Sequence, residues 1–201
     1  MSRREAAEPA YVYPFREDSA MLLPWARLRS GLLLEVMCGE GRAALEAARA
    51  GARVVAADLN PHALRQLARR AGAEGLGVNV VRTDLFRGLT RFDRILANPP
   101  YVPTPSGEGD PNEWADLALN GGPDGGGPTR RILRDAPRHL RPGGCLYLLR
   151  STTLLPGVWD LLLQEWLERG GSADRVDARP LEGEELQVWA LAGPGQPPRP
   201  T

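Results

Sequence analysis

Asn98-Pro99-Pro100-Tyr101 sets a primary amide against two prolines, directly behind the short apolar run Phe92 to Ala97. Each proline denies the helical region to the residue before it, so the chain leaves that run extended and its carbonyls are not consumed in a helix. The side-chain oxygen of Asn98 and the backbone oxygen of Pro99 can then each accept one hydrogen of a planar NH2, while Tyr101 offers a flat face for stacking. A nitrogen held in this way is placed for attack on an electrophile. Taken alone, Asn-Pro-Pro also suits an ordinary turn, because both residue types are common there. Residues earlier in the chain weight the chemical reading.

Three acids fall where a nucleoside-like ligand needs them: Glu35 inside one apolar run, Asp58 at the end of the next, and Asp84 at the end of a third. In an open α/β sheet, an acid at the end of the second strand reaches ribose hydroxyls. Asp84 can accept from an adenine amino group, and Glu35 can either hold a cationic amine or anchor the backbone of the loop that follows it. Each acid taken singly reads more simply as a solvated loop residue; the three together at strand ends argue for a site. The loop itself, Glu35-Val-Met-Cys-Gly-Glu-Gly41, lacks the three spaced glycines that admit a pyrophosphate at a helix N-terminus. That argues against NAD or FAD and for a ligand without phosphate groups.

These residues need a scaffold, and the chain supplies an alternation of strands and helices. Buried strands are expected at Leu32 to Met37, Arg53 to Ala57, Val78 to Arg82, Phe92 to Ala97 and Cys145 to Leu149, with a closing strand at Leu186 to Leu191. Helical patterns fall at Arg42 to Ala50, from Pro61 to about Ala71, at Thr129 to Leu140 and at Leu154 to Arg169. Asn60 followed by Pro61 is a helix cap with proline at the first helical position. Asp18 or Ser19 is expected to cap an earlier helix through Leu28. Strands separated by helices imply a parallel sheet with right-handed crossovers. Between Val102 and Gly127 the chain is rich in Gly and Pro, too long for an ordinary connection, and reads as a lid or substrate-binding loop around Trp114. Arg141-Pro-Gly-Gly144 reads as a turn.

The 201 residues suffice for one core, and 25 basic against 25 acidic residues give no long-range attraction to a polyanion. Every basic residue is Arg, so no lysine catalyst exists. Cys38 and Cys145 show no metal or disulfide spacing, and His62 and His139 are too few for a zinc cluster. With no signal-peptide pattern and no run of membrane-spanning length, the expectation is a cytoplasmic protein with no membrane partner. The Pro/Gly-rich stretch from Gly193 to Thr201 is expected to be disordered.

The order Glu35-x-x-x-Gly39-x-Gly41, Asp58, Asp84 and Asn98-Pro-Pro-Tyr101 resembles the class I S-adenosylmethionine-dependent methyltransferases, specifically the HemK-like branch that methylates release-factor glutamine. Tyr13-Pro-Phe-Arg-Glu-Asp-Ser19 and Asn120-Gly-Gly-Pro-Asp-Gly125 extend the resemblance from about Tyr11 to Leu191. It implies an α/β Rossmann-like fold with a mostly parallel seven-stranded sheet and helices on both faces. Residues 1–30 would fold over the cofactor site and residues 31–192 would form the methyltransferase domain. Glu35, Gly39 and Gly41 would line the methionine side of S-adenosylmethionine, Asp58 with Leu59 would bind the ribose, and Asp84 with Leu85 would meet the adenine. Tyr13, Asp18 and Ser19 would close over the cofactor. Asn98, Pro99 and Tyr101 would hold the target glutamine amide, with Asn98 also beside the cofactor. The resemblance further implies a release factor as protein substrate and, in the short branch, a small zinc-binding activator subunit. One residue departs from the family pattern: Met37 stands where glycine is expected. Two other readings compete, an adenine N6-methyltransferase acting on DNA or RNA and a catalytically silent binding protein. The arginines at 130, 131, 134 and 138 would serve the first, although their helical spacing suits a solvated face.

Overall fold

The computed structural model describes residues 11–27 and 31–194, so the expected disordered tail beyond Pro194 lies outside the described residues, as do residues 1–10. The strands are β1 (Leu32–Val36), β2 (Arg53–Asp58), β3 (Val78–Arg82), β4 (Phe92–Ala97), β5 (Leu140–Ser151), β6 (Ser172–Leu181) and β7 (Glu184–Ala192). They form one sheet in the order β3-β2-β1-β4-β5-β7-β6. β1 to β5 pair in parallel, and β7 lies antiparallel between β5 and β6. The helices are α1 (Glu17–Ala20), α2 (Leu23–Ala26), α3 (Arg42–Arg49), α4 (Pro61–Ala73), α5 (Glu113–Leu119), α6 (Gly127–His139) and α7 (Val158–Glu168).

Alternation along each strand divides the apolar residues between two cores. Leu33, Val54 and Leu96 join α2, α3 and α4 on one face, and Leu34, Val36 and Ile95 join α6 and α7 on the other. Leu33, Leu34, Ile95 and Leu96 are fully buried, each worth about 1.5–3 kcal/mol against exposure. Period two therefore fixes the side chains beyond these runs. Glu35 shares a face with Leu33, and Asn98 shares one with Leu96, so both lie on the side covered by α3 and the N-terminal segment.

Four local expectations are corrected. β6 had no counterpart in the sequence reading, because Asp174, Arg175, Asp177 and Arg179 break the apolar signal of a strand at the sheet edge. Arg141 to Gly144 is not a turn between elements but a bulge inside β5, where register jumps from Phe92 with Leu140 to Arg94 with Cys145. The long 102–127 connection contains α5, whose N-cap Asn112 accepts from Trp114 and Ala115 backbone N–H groups at 3.0 and 3.1 Å. The last long helix starts at Val158 rather than Leu154. Asn60 caps α4 as expected, accepting from His62 N at 2.9 Å with Pro61 in the first turn.

Candidate active site

In the sheet order, β1 has β2 on one side and β4 on the other, so the chain reverses direction across the sheet there. Crevices at such reversals, beyond the carboxyl ends of the strands, are ligand sites in open α/β sheets. A cavity of about 450 Å3 opens at that point, lined by the loop after β1, the ends of β2 and β3, Asn98 to Pro103, and the N-terminal segment. That volume is in the ordinary range for small-ligand pockets. Every sequence-predicted site residue, from Tyr13 to Tyr101, lines it.

The loop after β1 is built on left-handed backbone. Met37 has φ 55° and Gly41 φ 66°. A Cβ on Gly41 would stand 2.4 Å from a Leu67 methyl, so glycine there permits close approach of the loop to α4 as well as the backbone twist. Met37 occupies the glycine position of the family pattern at the cost of about 1–2 kcal/mol for a non-glycine residue in this region, while its side chain packs partly buried against the second core. Met37→Val is therefore expected to lower stability by roughly 1–2 kcal/mol, since β-branching worsens the left-handed conformation. Met37→Gly should stay within about 1 kcal/mol, as relief of strain offsets lost packing. Urea unfolding of the two variants checks this, and equal stability of the Val variant and the parent would refute the strain.

Asp58 ties that loop to the sheet. Its Oδ2 accepts from Gly39 N and its Oδ1 from Asn60 N, both at 2.8 Å. Burial raises its pKa, and the backbone N–H groups of Asn60 and Gly39 oppose the shift. Glu35 takes the anchoring option: its Oε2 accepts from Ala44 N at 2.6 Å in the first turn of α3. Burial outweighs those helix N–H groups and pushes its pKa up to about 8. Glu35 is thus protonated in the folded chain between pH 4.5 and 8, where an unfolded glutamate has lost its proton. Stability from this group is full below pH 4.5 and declines as pH rises to 8. Glu35→Gln is expected to flatten that slope, read by denaturant unfolding at pH 5 and pH 8; a pH-independent difference between variant and parent would contradict it.

At the other wall, Asp18 is a buried carboxylate inside α1, not the helix cap expected; Arg16 holds the N-cap position. Its Oδ2 accepts from Tyr13 OH at 2.8 Å, Asn98 Nδ2 at 3.0 Å and Tyr101 OH at 3.4 Å. Ser19 N donates to Oδ1 at 2.6 Å. Burial, reinforced by the Asp18 charge, holds both phenols well above the usual tyrosine range, so each is a donor. Asn98 Nδ2 also reaches Ser19 Oγ at 3.2 Å. Asn98 Oδ1 is buried and has no hydrogen-bond partner.

Asp84 lines the cavity but also meets Arg131 Nη2 at 2.6 Å in a pair more than 40% exposed on both sides, so the pair adds little stability. Leu85, buried beside it, is a second non-glycine residue at positive φ, 51°. Arg130 pairs with Asp124 and Arg134 with Asp135, so three of the four arginines at 130, 131, 134 and 138 have acidic partners, as a solvated face would. Trp159 and Trp166 are buried in the second core. Cys38 is buried in the loop with its thiol pushed up by burial, which removes thiolate chemistry.

Sequence reasoning missed several wall residues. Thr153 follows β5 and Glu184 begins β7, with no motif to mark either, and both reach the cavity. Phe15 lies under the Arg42 guanidinium, 5.0 Å from ring to Cζ. Trp114, in the middle of the long loop, lines the cavity and meets the His62 ring edge-on at 5.9 Å between centroids.

Comparison with known proteins agrees with this geometry. A methyltransferase-domain family profile matches residues 33–106. A putative protein N5-glutamine methyltransferase of Methanocaldococcus jannaschii is 33% identical over 144 residues, covering 70% of this chain and 73% of that one. A ribosomal protein uL3 glutamine methyltransferase of Bradyrhizobium diazoefficiens is 38% identical over 155 residues, and this chain matches 49% of its length, against 72% of its own. Among solved structures, the E. cuniculi Mtq2–Trm112 complex, responsible for methylation of the eRF1 translation termination factor, superimposes with a TM-score of 0.69 at 25% identity. The match covers 90% of this chain and 98% of that one. The sheet is the Rossmann-like methyltransferase sheet, and the chain belongs to the protein N5-glutamine methyltransferases, a family of S-adenosylmethionine-dependent enzymes.

Proposed function

We propose that this protein transfers a methyl group from S-adenosylmethionine to the side-chain amide nitrogen of a glutamine in a protein, and that the acceptor is a translation termination factor. The observation that carries the reading is the buried, partnerless Oδ1 of Asn98, a residue that lines the cavity. A buried acceptor without a donor costs about 1–3 kcal/mol, and an incoming NH2 supplies the donor. Pro99 O can take the second hydrogen, and the Tyr101 ring can cover the amide plane.

The cofactor, when bound, supplies an activated methyl on a sulfonium. The chain's part is binding and orientation. Asp58 can accept from ribose hydroxyls with its unused lone pairs, Leu59 and Leu85 can pack against the nucleoside, and Asp84 can meet the adenine amine. Glu35 holds the start of α3 so that Gly39 and Gly41 shape the methionine side. An amide nitrogen is a poor nucleophile because its lone pair is delocalised. Taking both its hydrogens into carbonyl oxygens favours the charge that develops at that nitrogen and fixes its line of approach. As the nitrogen takes the methyl it gives up one of these hydrogens as a proton, which passes to solvent after transfer, so the scheme requires no separate general base.

The termination-factor reading is supported by architecture. The chain matches 98% of the Mtq2 chain, whose complex methylates the eRF1 termination factor. A small activator subunit, zinc-binding as the resemblance implies, is inferred on the same ground, since that neighbour was solved with Trm112. No helix among the described residues is long and apolar enough to cross a membrane, and a translation-factor acceptor supports a cytoplasmic reaction. Residues 11–27 serve as the flap over the cofactor and residues 31–192 as the catalytic domain.

The test offers the purified chain, alone and with a candidate activator, S-adenosylmethionine and one of three acceptors: a termination factor, protein uL3 or an adenine-containing oligonucleotide. Methylglutamine in the termination factor, located by peptide mass spectrometry, is the expected product. Methylation of uL3 alone would move the acceptor, and methyladenine would overturn the reading.

A further inference from the structure

A primary amide is nearly symmetric in shape, so a half-turn of the Asn98 side chain would exchange an acceptor for a donor at the cavity wall with little change in packing. Something must decide which end faces the target. The groups behind Asn98 do so. Its Nδ2 points at Asp18 Oδ2 at 3.0 Å and Ser19 Oγ at 3.2 Å. Ser19 alone settles nothing, because a hydroxyl both donates and accepts. Here, however, Ser19 Oγ donates to Asp18 Oδ1 at 3.3 Å, which leaves its lone pairs toward Asn98.

Asp18 is an acceptor at both oxygens. Tyr13 OH, Tyr101 OH, Ser19 N, Ser19 Oγ and Asn98 Nδ2 all donate to it. Among the described residues no cation pairs with it, so a carboxylate only 4% exposed is held by donors alone. The half-turned amide would set Asn98 Oδ1 against Asp18 Oδ2 at hydrogen-bond distance with no proton between them, a repulsive contact in a poorly solvated place.

We propose that Asp18 is the positioning residue of this site: by accepting from Asn98 Nδ2 it fixes the amide with Oδ1 toward the target, and so restricts the target to groups that donate hydrogens. Asp18 also receives Tyr101 OH, so the same carboxylate sets the stacking ring and the acceptor oxygen together. This differs from the cofactor contact implied by the sequence resemblance. It rests on the reading of Asn98 as the acceptor for the target amide, and it places Asp18 behind that residue, acting through it.

The experiment combines a spectroscopic and a kinetic arm. In 15N-labelled parent protein, the two Asn98 side-chain protons should exchange slowly with solvent and shift downfield. In Asp18→Asn, whose own amide can face Asn98 either way, exchange should accelerate at least ~10-fold. In turnover of a glutamine acceptor, Asp18→Asn should lower kcat by about 10- to 100-fold while S-adenosylmethionine affinity, by calorimetry, moves less than ~3-fold. Added to Asn98→Ala, the Asp18 change should cost clearly less than it does alone, the remainder acting through Tyr101. Fast-exchanging Asn98 protons in the parent would overturn the proposal without any variant, should Asp18→Asn fold poorly. Loss of cofactor affinity with kcat retained, or an additive double variant, would overturn it too. If the parent methylates no glutamine acceptor, the proposed function fails, while the spectroscopic arm still decides the orientation of Asn98.

Discussion

Asn98→Ala is expected to lower methyl transfer by at least 100-fold while leaving S-adenosylmethionine affinity within about threefold of the parent. The asymmetry follows from where the side chain is tied. Its amide nitrogen is bound behind, to Asp18 and Ser19, and its oxygen has no protein partner. Alanine leaves the backbone of Pro99 and the ends of β1 and β2 in place, so the cofactor walls built by Gly39 and Asp58 are not touched. It removes one of two acceptors for the target amide, and with it the direction from which that amide approaches. Loss of one preorganised polar group facing a developing charge costs about 100- to 1000-fold in rate. Asp18 would lose a donor as well, which adds a modest stability cost of about 1 kcal/mol. Calorimetry and single-turnover kinetics on the same preparation separate the effects. A variant that fails to bind cofactor but turns over whatever remains bound would assign Asn98 to the wrong partner.

The sequence made the sheet legible because its inner strands are short apolar runs, each followed by residues that do not belong in a core: the Gly39-Glu40-Gly41 loop, Asp58, Asp84, Asn98. Those ends coincide in space because parallel strands all finish on one side, so order along the chain became a cluster without any knowledge of contacts. What escaped were features that depend on partners far off in sequence. Asp18 has the local look of a helix cap, since Asp near a helix start is common. Its fate is decided by Asn98 and Tyr101, about 80 positions on. β6 escaped for the opposite reason: an edge strand with one neighbour can carry alternating charges, and its hydrogen bonds to β7 do not require an apolar face. Prolines and glycines misled in both directions. Arg141 to Gly144 interrupts β5 without ending it, and the Gly/Pro-rich stretch after Pro103 hides a helix whose Asn112 cap lies inside it. Thr153 and Glu184 carry no signal at all, since only the return of β7 beside β5 brings them to the cavity.

Asp58→Ala is expected to act in the opposite sense to the Asn98 change, weakening S-adenosylmethionine binding by about 100-fold while any complex that forms still reacts. Two losses combine. One is the direct acceptor for the ribose. The other is internal: Asp58 Oδ2 holds Gly39 N and Oδ1 holds Asn60 N, so alanine frees the glycine loop at one side and the start of α4 at the other. Hydrogen bonds to a charged group are worth about 1.5–3 kcal/mol each, and losing even one in the bound state spans roughly 10- to 150-fold. Asp58→Asn does not evade this, because one end of its amide must meet a backbone N–H with a donor. The two losses are separable with a cofactor analogue lacking ribose hydroxyls. If Asp58 binds the ribose, the analogue should bind parent and Asp58→Ala nearly alike, apart from the loop contribution. If the variant weakens natural cofactor and analogue by the same factor, Asp58 acts wholly through Gly39 and Asn60, and the ribose is held by other groups.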